Sequence, residues 1–230
     1  MTASDRLNAA HEAALEGRYE EALREYVWFH NHALEEQPAL YGVRLSFALG
    51  YWMELSENFP KAKDVLVEIR DMKTAALADG KGDRELFHDV ISINEALGCP
   101  VDTHALFVHL DANNPQLAES SAKLALPAIV AAGDFSLAIR YLPQPESRVV
   151  QLSESLNEDI EDLKGFPKPQ RPHIREAYIH IYASEVQLVA SVLRGLGQSQ
   201  EASRLTTLAS KLVKSPSVRK AVRGALEPQA

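Results

Sequence analysis

The stretch from Ala9 to Phe29, AAHEAALEGRYEEALREYVWF, constrains the fold more than any other. Apolar residues recur at helical spacing on both sides of Gly17, and glycine is the residue that accepts the positive φ of a tight turn. The arrangement returns three times. With Ala22, Ala62, Ala138 and Ala202 aligned, the residues three upstream are Tyr19, Phe59, Phe135 and Ser199. Five upstream lie Gly17, Glu57, Gly133 and Gly197, and twelve upstream lie Ala10, Gly50, Leu126 and Ala190. Small residues on two neighbouring helices let their axes approach, an aromatic plugs the end of the pair, and glycine turns the chain. A recurrent unit of this kind predicts an α-helical array.

The remaining punctuation agrees. Helices are expected over 5–16, 19–36, 39–56, 59–78, 84–97, 103–110, 115–132, 135–142, 147–163, 173–196, 198–213 and 216–226. Ser4 or Asp5, Asp83, Asp102, Asn114 and Ser215 serve as start signals, and Pro127 as an internal kink. Gly165–Pro172, GFPKPQRP, reads as the clearest loop. No segment alternates with period two, so no sheet is expected. About twelve helices make an all-α chain, read as one domain over 1–230. Its clearest pairs fall at 4–36, 39–78, 117–142 and 173–213, with a basic helix at 215–226.

The segment Gly17-Arg-Tyr19-Glu-Glu-Ala22-Leu23 resembles the turn and second helix of the tetratricopeptide repeat, and Leu49-Gly50 resembles the Leu-Gly pair of that family's first helix. The resemblance covers 4–78 best, then 117–142 and 184–212. The alanines are spaced more widely than the family's 34-residue period, and 83–113 is helical without the motif. The resemblance implies a right-handed α-solenoid of antiparallel helix pairs, with the first helix of each pair lining a concave groove. Other helical-pair arrays and a non-repetitive bundle remain open on the residues alone. Mapped by the family's register, groove contacts fall on His11, on Arg44, Phe47 and Tyr51, on Lys123, on Gln187 and on Arg194. The Lys, Asn and Arg set of the family's carboxylate clamp is not matched, since Leu7 and His11 stand there.

Few residues are patterned for chemistry. Glu85-Leu-Phe-His88 is a Glu-x-x-His, but a di-iron bundle needs two, and no second copy exists. His30 and His32 are not spaced for one helix face; His88 reads as a helix-surface residue, and His104 and His109 as packing or surface residues. Cys99 in Gly-Cys-Pro reads as a plain turn thiol; one cysteine makes no internal disulfide. No nucleophile elbow, phosphate loop or His-Glu-x-x-His is present. Glu154, Glu158, Asp159, Glu161 and Asp162 share one helix and read as a solvated acidic face. Pro169-x-x-Pro172 reads as a rigid connector.

The net charge of −8 argues against nucleic acid as the general partner. The charge is uneven: from Ser203 onward six basic residues face Glu227 alone. No apolar run approaches the roughly 18 residues of a membrane span, and the opening residues carry no secretory apolar core. The expectation is a cytoplasmic, non-enzymatic adaptor without metal or cofactor, binding a protein or peptide in its groove. A dedicated regulator acting through the acidic surface and an all-α enzyme are the alternatives.

Overall fold

The computed structural model describes Met1–Glu227, so the last three residues of the expected domain lie outside it. The described residues form helices and no strand. Contacts divide the chain into two compact units, 1–128 and 129–230. The first holds α1 (Ala3–Leu15), α2 (Tyr19–Glu36), α3 (Tyr41–Leu45), α4 (Phe47–Asn58), α5 (Lys61–Ala78), α6 (Arg84–Leu97) and α7 (Pro100–Asn113). The boundary falls inside α8 (Pro115–Ala131), and the second unit holds α9 (Phe135–Arg140), α10 (Pro145–Asp162), α11 (Arg171–Gly195), α12 (Ser199–Leu212) and α13 (Pro216–Leu226). Among the described residues no helix is long and apolar enough to cross a membrane.

The turns follow from local chemistry. Gly17, Gly133 and Gly197 adopt φ of 79°, 74° and 77°, the region where a side chain is strained. At each, the next amide reaches five residues back: Arg18 N to Ala13 O at 2.8 Å, Asp134 N to Ile129 O at 3.1 Å and Gln198 N to Leu193 O at 2.8 Å. This is the Schellman closure that satisfies helix-end carbonyls. Caps behave likewise at Asp83 and Asn114, whose side chains accept the amides of Leu86 and Leu117 at 2.9 and 3.2 Å. The first cap lies earlier than expected: Thr2 accepts the amide of Asp5, and Asp5 accepts that of Thr2. Asp102 is no cap, since α7 already begins at Pro100, where proline's missing N–H costs nothing. Ser215 occupies the cap of α13 without a side-chain bond.

Ala22, Ala62, Ala138 and Ala202 are all fully buried, as are Ala10 and Ala190 to within a percent. In the first unit the motif aromatics Tyr19 and Phe59 stack at 5.9 Å, and the Trp52 indole donates to the carbonyl of Ala62 at 2.8 Å. In the second, the Phe135 ring lies over Gly195, where a Cβ would sit 2.1 Å from it. Tyr182 of α11 donates to Ala209 O of α12 and bonds Ser153 of α10, tying three helices. The basic helix α13 buries Val218 and Val222 and exposes Lys220 and Arg223, while Arg219 folds back to donate to Val213 O at 2.9 Å.

Two further expectations are corrected. Gly50 is exposed, and a Cβ there would touch nothing within 4 Å. It is not the close-approach point; Ala48 and Leu49 are the buried residues of that turn. The single helix over 39–56 is also broken. Pro38–Leu40 is a 3-10 turn, and Ser46, at φ −130° and ψ −88°, separates α3 from α4. Its hydroxyl donates to Gly42 O at 2.7 Å, the local bond by which serine competes with helix continuation.

Candidate functional site

The site is built on α1 and α4. His11 on α1 and Tyr51 on α4 stack face to face, with ring centroids 4.0 Å apart and planes 25° apart. Both line a pocket of about 250 Å³ together with Leu15, Tyr19, Glu54 and Glu57. Neither Glu54 nor Glu57 forms an ion pair among the described residues. Phe47 lies one helical turn before Tyr51 and is 67% exposed; Leu15 is 75% exposed. Leu15 lines the pocket with the rings and the two carboxylates, and Phe47 exposes apolar area one turn away; together they offer contact area and a place for a cation.

Arg44 does not join them. The Ser46 break puts it on α3, apart from the helix that carries Phe47 and Tyr51. It is buried, and both terminal nitrogens bond the Asp89 carboxylate of α6, one at 3.0 Å. Lys73 of α5 pairs with the same carboxylate and approaches His30 Nε2 of α2 at 3.0 Å. Arg44 also donates to His30 O at 3.3 Å. Burial disfavours the carboxylate, but the hydrogen bonds and charges of Arg44 and Lys73 outweigh it and hold Asp89 below its ordinary range. Burial, then the Lys73 and Arg44 charges, press His30 down to about 3, so it is neutral at neutral pH. Burial lowers Lys73 as well, against the pull of Asp89. Tyr41 and His88 close the cluster with a 2.8 Å bond, which makes His88 a half-buried partner and not a surface residue.

The sequence reading missed His30, Lys73 and Asp89. The signal was present in Phe87-His-Asp89-Val-Ile-Ser-Ile93, where a charge interrupts an apolar run. A carboxylate there is either a fault or one half of a pair.

The other expected contacts lie apart from the pocket. Lys123 is exposed on α8. Gln187, on α11, donates to Ala225 O of α13 at 2.8 Å. Arg194 ends α11 and lines a different cavity, with residues of α12 and α13. Of the acidic run, Glu154, Glu158, Glu161 and Asp162 are exposed, and Glu161 meets Lys214 at 3.7 Å. Cys99 is half-buried with a free thiol, and the described residues contain no group of three His, Cys, Asp or Glu placed to hold a metal. In comparisons with known proteins, no family model, no curated protein and no solved structure matches the chain.

Proposed function

We propose that this chain is a non-enzymatic adaptor of the cytoplasm, an irregular right-handed array of antiparallel helix pairs of tetratricopeptide type, which binds a protein or peptide on the α1–α4 face. The observation that carries the reading is the stacked His11–Tyr51 pair in its pocket, flanked by the exposed Phe47 and Leu15. Two residues assigned to a groove by the family's register stand side by side. Rigid aromatics provide binding area at low entropic cost, and interface energy concentrates in such anchors. The recurrent buried alanines support the repeat assignment; the glycine closure is a general helix end, found also at Gly80 and Gly98 outside the aligned units. Glu54 and Glu57 favour a basic residue in the bound segment.

The test is affinity capture from native extract, identification of the retained partner, and titration of that partner with wild-type chain and with Tyr51→Ala. A loss of at least about 1 kcal/mol, with unfolding unchanged, is expected on the hot-spot scale. Retention of the partner at wild-type affinity by Tyr51→Ala and by His11→Ala would remove the groove from consideration. The exposed carboxylates of α10 favour a second reading, a regulator that grips a basic partner surface. That partner would lose affinity with Glu154→Gln and Glu158→Gln instead.

A further inference from the structure

Arg194, Lys211 and Arg223 converge on one cavity of about 470 Å³ from three different helices, α11, α12 and α13. None of the three forms an ion pair among the described residues. Each stands in the last turn of its helix, where a cation complements the helix dipole. That local benefit explains each residue singly and gives no reason for three like charges to share a concavity. Elsewhere in the same unit Arg148 pairs with Glu185, Arg204 with Glu146 and Glu201, and Lys214 with Glu161. The chain as a whole carries −8, so the field here is a local reversal.

From this convergence we infer that the α11–α12–α13 cavity is a binding site for a small, multiply phosphorylated molecule. Guanidinium forks match phosphate oxygens bidentately, and a lysine adds a point charge. One monocarboxylate would leave two of the cations uncompensated. The cavity volume falls among those of small-molecule sites, roughly 300–1,000 Å³. Ser210 adds a buried hydroxyl to the lining. The hydroxyls of Ser203, Thr206 and Thr207 donate to carbonyls four residues back. Those carbonyls belong to helical turns, so a hydroxyl can rotate to a ligand with little loss to the helix. Glu227 also lines the cavity, and against the three cations it leaves the lining net positive. The site is independent of the α1–α4 pocket, which the other unit holds.

Isothermal titration of the full chain with sodium tripolyphosphate tests the assignment. Saturable one-to-one binding is expected, weakening as added salt screens the cations. Arg194→Gln and Arg223→Gln should each reduce affinity roughly tenfold or more, the scale of a lost charged hydrogen-bond pair. Arg175→Gln, which removes the same charge from a separate cavity of this unit, should change it less than about twofold. The three sites are exposed on the surface, and thermal melts check that the variants remain folded. No saturable binding, or equal losses in all three variants, overturns the assignment. A hexaglutamate peptide binding as tightly as tripolyphosphate also overturns it, because the surface then selects acidic polypeptide over phosphate.

Discussion

Arg44 and Asp89, 45 positions apart in sequence, meet in a bidentate pair that water barely reaches. Lys73 shares the carboxylate, so the pair joins α3, α5 and α6, and the Arg44 bond to His30 O brings in α2. Removing one partner from such a pair leaves an uncompensated buried charge. Asp89→Ala should therefore cost about 3–5 kcal/mol in urea unfolding. The combined Arg44→Met, Lys73→Met and Asp89→Leu variant should recover most of that loss. A single variant within experimental error of wild type would show that the pair is not buried in solution.

His30 contributes to the acid limb of stability, as does His88, which burial also lowers. Its folded value of about 3 lies below the ordinary value near 6.5. The unfolded chain takes up a proton first, so the contribution is complete above about 6.5 and is lost as pH falls towards about 3. The slope contributed is at most about 1.4 kcal/mol per pH unit. Asp89, held low by Arg44 and Lys73, has the same sign and acts at the acid end of the window, below its unfolded value near 3.9. His30→Leu should flatten unfolding free energy against pH between about 6 and 4, the stretch that lies above Asp89's unfolded value. An unaltered slope would assign the acid limb to other groups.

The seam at Ala62 has no exposure and accepts the Trp52 indole on its carbonyl. Ala62→Leu should overpack it and cost roughly 1–3 kcal/mol. A thermal midpoint equal to that of wild type would argue that helices do not meet closely there.

Two glycines should respond in opposite directions. Gly50 lies in the first turn of α4 with open space around it, so Gly50→Ala should stabilise by up to about 0.5–1 kcal/mol through backbone entropy. At Gly195 the added methyl meets the Phe135 ring. Gly195→Ala should destabilise by about 1–3 kcal/mol, an overpacking cost. Denaturant midpoints of the two variants, moving to opposite sides of wild type, are the expected result.

The helices, most of their ends and the glycine turns were legible in the sequence, because each follows from neighbours a few residues apart. Gly17, Gly133 and Gly197 could be assigned a left-handed turn, and the aligned alanines a buried seam, from spacing alone. The stack of His11 on Tyr51 was legible only as a shared register; the contact depends on how α1 and α4 lie together. Arg44 was misplaced because the backbone leaves helical geometry at Ser46, which separates α3 from α4, and a carboxylate far along the chain takes the guanidinium. Spacing reports which face of its own helix a residue occupies. The charge that faces it across a packed interface comes from another part of the chain, and the tertiary structure decided that Arg44 would meet Asp89 and that Arg194, Lys211 and Arg223 would meet around one cavity.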